Sequence, residues 1–220
     1  MTTRLPDLTG LLGQALVETL YIVAISLAVG TVFGLAVGLG LYTTRSGGLY
    51  ASRPVFVTLN FLVNFFRPIP FVIFIGAVQP LARLVTGTGI GNPAIIFALS
   101  LSAGFFVARV VEQNLFSVDP GVIEASRAMG ASRLKTIAAV LIPEALGPLV
   151  LGLTFSFVAV VDASAIAGVL GGGGLGNFSL QYGFRQFDWA VTWTTVLIIV
   201  AIVQLGQLLG NTVSRRLLRR

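Results

Sequence analysis

Glu124-Ala125-Ser126-Arg127-Ala128-Met129-Gly130-Ala131-Ser132-Arg133-Leu134-Lys135-Thr136 is a polar run that turns apolar and closes on Val140-Leu141-Ile142-Pro143-Glu144. Long hydrophobic stretches flank it on both sides. Ala125, Ala128 and Met129 are small or flexible residues within a turn of Glu124, so a first short helix can sit closely in a groove. Gly130 suits a helix terminus, where left-handed backbone costs little. Ser132 is placed to cap a second helix, Leu134 to Leu141, which Pro143 interrupts. The stretch therefore reads as two short helices at a fixed angle, a shape that transmits a push from a soluble partner. An ordinary amphipathic loop is the plainer reading of the same residues.

The surroundings of this hairpin are lipid-soluble. The chain has 220 residues, 55% hydrophobic and only 10% charged, which is too apolar for a soluble domain of this size. A membrane-spanning helix needs about 20 mostly apolar residues, because unpaired backbone groups are costly in lipid. Five stretches qualify: Thr19 to Thr44, about Phe56 to Leu81, Pro93 to Val111, Ala145 to about Leu170, and Ala190 to Val213. Arg67-Pro68-Ile69-Pro70 should bend or break the second of them near the polar interface. The first span should stay in the mature protein, since Arg4 is followed by Asp7 and Glu18 and the apolar run is too long for a signal core.

The fold class expected is an all-α integral membrane protein, a single transmembrane domain over residues 1–220 with a cytoplasmic hairpin at about 112–143. No soluble second domain, low-complexity linker or internal repeat is evident. With no Cys and no His, disulfides, thiolate metal sites and imidazole chemistry are excluded. The net charge of +6 does not suggest nucleic acid, because the basic residues are scattered between spans and gather at the C-terminus. Placing the N-terminus outside puts Arg45, Arg53, Arg67, Arg109, Arg127, Arg133, Lys135, Arg215, Arg216, Arg219 and Arg220 on the cytoplasmic side, against Arg4, Arg83 and Arg185 outside. This bias follows the positive-inside rule and puts the hairpin and the C-terminus in the cytoplasm. The C-terminal arginines would anchor on anionic headgroups.

Within the spans, Gly30, Gly34, Gly38 and Gly40 have small-xxx-small spacing for close helix packing. Asp162 stands out as the acidic residue deep in an apolar span, at an insertion cost of at least about 2.5 to 3.5 kcal/mol. Three readings are open for it: a place on a translocation path, meeting a substrate ammonium or sensing a gate; a structural hydrogen bond to Ser156, Ser164 or backbone; or a place near the outer interface. Gly171-Gly172-Gly173-Gly174-Leu175-Gly176 contains the G-x-G-x-x-G of dinucleotide sites, but it follows a membrane helix and lacks the strand-turn-helix context. A flexible re-entrant or hinge segment near an external gate fits it better. The aromatic and polar stretch Asn177 to Arg185, with Gln181 and Tyr182, could receive a soluble delivery protein, although interfacial aromatics are also ordinary anchors.

The hairpin resembles the cytoplasmic loop of the membrane subunits of bacterial ATP-binding-cassette importers, which reads Glu-Ala-Ala, three residues, Gly, nine residues, Ile-x-Leu-Pro. Glu124, Ala125, Ser126, Gly130, Val140, Ile142 and Pro143 keep that spacing, with Ser126, Val140 and Ile142 as size-conserving departures. Four segments together are similar to the methionine-importer permease branch of that family: Asn64 to Phe71, Ile123 to Ala131, Leu141 to Leu146, and Gly173-Gly174-Leu175-Gly176 with Gln181-Tyr182-Gly183. The resemblance covers nearly the full length. It implies a homodimer of five-helix permease subunits in the bacterial inner membrane, with the path at the dimer axis. It further implies docking to a cytoplasmic ABC ATPase dimer and delivery by an extracytoplasmic methionine-binding lipoprotein. ATP and Mg would be bound by the ATPase, and this chain would carry no cofactor or catalytic residue.

By position, Glu124, Ala125, Ser126, Ala128, Met129 and Gly130 would dock the ATPase, with Pro143 closing the motif. Asp162, Ser164 and Ile166 would line the path or gate, Ile166 keeping the apolar gate role. In that branch Gly-Tyr usually precedes Ser-Ala-Met in helix four. Here Asp162-Ala163 precedes Ser164-Ala165-Ile166, a new charge that would suit a different amino acid or a dipeptide. A permease for quaternary amines such as glycine betaine is a further reading, which an aromatic cage would support, but none is visible. An ion-coupled secondary transporter normally carries several intramembrane ionisable groups or a repeat, and here Asp162 stands essentially alone.

Overall fold

The first apolar run extends well beyond its hydrophobic limits. In the computed structural model α1 covers Thr9–Thr44, 36 residues, beginning ten positions before the apolar run at Thr19 and taking in Glu18. At 1.5 Å per residue it is about 54 Å long, more than the roughly 30 Å hydrocarbon layer requires. The structure describes residues 5–169 and 171–218; Arg4, Leu170, Arg219 and Arg220, named above, lie outside the described residues. After a 3-10 turn and α1, the chain continues as α2 (Arg53–Phe66), α3 (Phe71–Thr86), α4 (Gly91–Leu115), α5 (Pro120–Ala128), α6 (Arg133–Thr136), α7 (Ile142–Val169), α8 (Leu175–Phe178) and α9 (Trp189–Leu218).

The glycines of α1 fix its partner. A Cβ on Gly30 would lie 2.8 Å from Ala103, one on Gly34 2.6 Å from Val107, and one on Gly38 2.7 Å from Val111. Residue numbers rise together along both helices, so α1 and α4 run parallel with their backbones in close approach. Gly40 instead faces Leu59 of α2.

This parallel pairing settles how many times the chain crosses. The end of α1 and the start of α4 lie at opposite faces of the bundle, so α2 and α3 together must carry the chain across. They do so as a sharply broken span, bent by 117° at Arg67–Pro70. Two prolines there remove backbone donors; Arg67 still has helical backbone, and the chain has left the helix by Pro70, at φ −55° and ψ 133°. The break is not at the polar interface. Phe66 stacks on Phe105 at 4.8 Å and Arg67 lies over the Phe106 ring at 5.9 Å, well inside α4.

Helix α7 returns antiparallel to both, with Leu141 packed beside Tyr42 and Val111 at one end and Gly172 against Ile95 at the other. Helix α9 runs back along α7 and ends with Leu218 against Gly147 and the Ser214 hydroxyl donating to the Gly147 carbonyl at 2.9 Å. Five crossings result, an all-helical membrane domain among the described residues.

Pro143 does not interrupt its helix. Residues Ile137–Leu141 form a π-turn, in which the Ile142 N–H donates to the Ile137 carbonyl, and α7 follows without a break. Widening the helix by one residue relieves the clash of a proline ring with the preceding turn, so α6, the π-turn and α7 form one 36-residue rod, Arg133–Gly168. Anything pushing on α6 therefore pushes on the membrane span itself.

Candidate functional site

The hairpin is organised by its own caps. Asp119 Oδ1 accepts from the Gly121 N–H at 2.8 Å with Pro120 in the first turn, so α5 starts on a capping aspartate. Gly130 ends it with φ +84°, and Ser132 Oγ accepts from the Lys135 N–H at 3.3 Å to start α6. Between the two short helices the Ser126 and Thr136 hydroxyls meet at 3.3 Å, both buried. Ser126 therefore bolts α5 to α6 and takes no part in an exposed docking surface. Ala125, Ala128, Met129 and Gly130 remain uncovered, Met129 at 82% exposure, and Glu124 is exposed on the rim of a cavity of about 120 Å³ between α5 and the α1–α2 loop.

Aromatic contacts tie this hairpin to the bundle, and the sequence reading did not include them. The Arg45 guanidinium lies 4.3 Å from the Tyr42 ring centroid and 4.1 Å from that of Phe116, and Arg133 lies over Tyr50 at 5.4 Å. Stacking of arginine on an aromatic face holds a loop without an acidic partner. Arg45 and Tyr42 are three residues apart, but Arg45–Phe116 and Arg133–Tyr50 join residues distant in sequence, and no local spacing announces those two pairs.

A second polar cluster lies within the spans. Arg109 donates to Glu112 Oε2 at 2.5 Å, to Asn60 Oδ1 at 2.9 Å and to Asn64 Oδ1 at 2.6 Å, joining α4 to α2. Glu112 is buried at 5% exposure. Asp162 is thus not alone: α4 runs on to Leu115, past Val111, and carries an ion pair inside the helix. The signal available was Arg109 and Glu112 at i, i+3, legible once the helix is extended by one turn.

Asp162 itself is exposed on α7, with no hydrogen bond to Ser156 or Ser164. Those hydroxyls return to their own helix, Ser156 to the Gly152 carbonyl at 2.9 Å and Ser164 to that of Val161 at 2.7 Å. Ser164 is buried and does not share the face of Asp162, whereas Ile166, one turn on, is half-buried on it. Phe155, two turns before Asp162 on that face, is exposed and lies 5.8 Å from the Phe106 ring. Arg67, Phe106, Phe155, Asp162 and Ile166 thus mark one side of the protomer, contributed by the α2–α3 break, α4 and α7.

At the opposite end from the hairpin, the glycine segment is pinned. The N–H groups of Gly173, Gly174 and Leu175 donate to Asn92 Oδ1 at 2.9 Å, Glu18 Oε2 at 2.8 Å and Thr19 Oγ1 at 2.8 Å. A Cβ on Gly176 would collide with the Ala165 carbonyl, and Gly174 has φ +90°. These glycines serve tight anchoring, and the expected flexible hinge is not what the described residues form. Gln181 beside it is exposed, while Tyr182 packs its ring 5.2 Å from Phe178. Among the described residues, no group of three His, Cys, Asp or Glu side chains is placed to hold a metal ion.

Comparison with known proteins accords with this geometry. Residues 30–220 match the family model of the binding-protein-dependent transport system inner membrane component. A probable D-methionine transport system permease protein from Vibrio cholerae is 40% identical over 90% of this chain and 88% of its own. A protein of the same description from Pasteurella multocida is 38% identical over 98% of each. Among solved structures, a chain of the MetNI methionine ABC transporter, determined in inward-facing conformations, superposes with a TM-score of 0.93 at 39% identity, covering 96% of this chain and 98% of that one.

Proposed function

We infer that this chain, which belongs to the family of binding-protein-dependent transport system inner membrane components, is the permease subunit of an ATP-driven methionine importer. The observation that carries the reading is the hairpin: a short helix with an uncovered Ala125, Ala128 and Met129 face, bolted through Ser126 and Thr136 to a rod that continues into the membrane. The relatives named for methionine, alike over nearly the whole length, support the substrate.

In this reading two copies of the chain surround the path, and each presents α5 to one subunit of a cytoplasmic ATPase dimer. ATP and Mg are bound there, and this chain is no enzyme by itself. Closure of the ATPase pushes α5, and the push reaches α7 through α6 and the π-turn. Pro143 lies at that junction. The side marked by Asp162 and Ile166 then opens alternately to either face, and Asp162 meets the substrate ammonium. The outer surface near Gly173, Gly174, Gly176, Gln181 and Tyr182 receives an extracytoplasmic binding lipoprotein.

Charge distribution supports an external N-terminus and a cytoplasmic C-terminus. Arg45, Arg53, Arg127, Arg133, Lys135, Arg215 and Arg216 lie at the hairpin end, with Arg83 and Arg185 at the other. Arg67 and Arg109 lie within the bundle, which trims the asymmetry without changing its sign.

The test is uptake of labelled methionine into proteoliposomes holding this chain, its ATPase and its binding protein. Accumulation that requires ATP supports the reading; uptake without ATP, or none from an assembled and ATP-hydrolysing complex, breaks it. Glu124→Arg should lower uptake per ATP by at least about tenfold through loss of the docking geometry, a coupling loss of about 1.4 kcal/mol. Wild-type uptake and unchanged co-purification of the ATPase would remove Glu124 from the docking surface.

A further inference from the structure

We propose that Arg67 is a carboxylate-binding residue of the translocation path, receiving the α-carboxylate of an amino-acid substrate in the middle of the membrane. The proposal rests on the importer reading above and adds a site to it.

The first ground is depth. The guanidinium of Arg67 lies over Phe106, and Phe106 is nine residues from the Leu115 end of α4 and fifteen from its Gly91 end. At 1.5 Å per residue these are about 14 Å and 22 Å, so Arg67 stands inside the apolar layer. An arginine facing lipid there is costly, and intramembrane charges face a partner or a water-filled cavity.

The second ground is the contrast with Arg109. That guanidinium is consumed by Glu112, Asn60 and Asn64. Arg67 is exposed, and among the described residues its guanidinium makes no hydrogen bond or ion pair and lies 5.9 Å from the Phe106 ring centroid. The fork of N–H donors is left open beside the ring. An open, planar fork matches a carboxylate with two parallel hydrogen bonds. Its base is held as well, because Pro68 and Pro70 fix the backbone of the α2–α3 break.

The third ground is the position of Asp162. It lies two turns, about 10 Å, beyond Phe155 on the same uncovered side, and Phe155 touches Phe106. Phe155 and Asp162 therefore mark different levels of that side, with Arg67 tied through Phe106 to the level of Phe155. The two charges act in succession: Asp162 takes the ammonium nearer the outer end, and Arg67 takes the carboxylate nearer the middle. Neither contact inspects the side chain, so selection among amino acids is left to other groups.

The experiment measures methionine moved per ATP hydrolysed in proteoliposomes of the complete complex. Arg67→Gln should reduce that ratio by about tenfold, the loss of roughly one charge-assisted contact, while ATP hydrolysis stimulated by the loaded binding protein persists. Arg67→Lys keeps the charge but loses the fork, and should fall in between at about a threefold loss, corresponding to under 1 kcal/mol. The Lys variant also serves if the Gln variant does not assemble. A wild-type ratio in either variant overturns the proposal. So does recovery of Arg67→Gln by adding Asp162→Asn, because that would show the two charges paired with each other across copies. Absence of methionine uptake by the wild-type complex would instead break the importer reading.

Discussion

The α1–α4 seam and the uncovered side of α2, α4 and α7 use the same helix α4 for opposite ends. Along the seam, Gly30, Gly34 and Gly38 let the α1 backbone approach Ala103, Val107 and Val111 so closely that no side chain fits between them. On the other side, α4 offers Phe106 and Arg109, and its neighbours add Arg67, Phe155 and Asp162. The first side has discrete close packing, which moves as a body. The second has long side chains and charges, which can exchange partners as the helices shift. A transporter needs both, and here one helix separates them.

Breaking the ion pair of α4 on the side facing α2 should have the largest effect on stability. Glu112→Ala leaves Arg109 without its buried counter-ion and should cost about 3 to 5 kcal/mol, read as early unfolding of the detergent-solubilised chain in SDS titration. Wild-type resistance to SDS would show that water or the asparagines suffice for Arg109.

Overpacking the seam comes next. Gly34→Leu places side-chain atoms where Val107 and the Gly104 carbonyl already lie, and should cost about 1 to 3 kcal/mol by the same assay. Gly13→Leu, on a surface with open space around it, is the control and should be near neutral. Equal effects of the two would dissolve the distinction between seam and open face.

The hairpin gives a smaller effect. Ser126→Ala leaves the buried Thr136 hydroxyl without its partner across the hairpin and should cost about 1 kcal/mol, seen as faster proteolysis within residues 117–132. The smallest change in stability belongs to Asp162→Asn, since the carboxylate makes no hydrogen bond or ion pair among the described residues; SDS resistance should move by less than about 0.5 kcal/mol while uptake falls. Undiminished uptake would take Asp162 off the path.

Much of the architecture was legible in the chain because it depends on local spacing. Apolar runs longer than the bilayer is thick must be helices, and Gly130, Ser132 and the charge pattern around them define a hairpin whatever lies nearby. The Pro68–Pro70 break was equally local, but its depth was not. Pro143 shows the limit clearly: a proline predicts an interruption, yet a π-turn one residue wider accommodates it and keeps the rod continuous.

The candidate site divides in the same way. Sequence alone determined the class of protein, the spans, the charge asymmetry and the hairpin that resembles a docking loop, because residue type and spacing fix hydrophobicity, helix period and caps. The tertiary structure decided which charges are spent and which are free. It paired Arg109 with Glu112, turned Ser126 and Ser164 inward, tied the glycine segment to Glu18, Thr19 and Asn92, and left Arg67 and Asp162 uncovered on one side. A side chain's partner and facing depend on helices brought together across long separations, and the pairing of α1 with α4 set that arrangement.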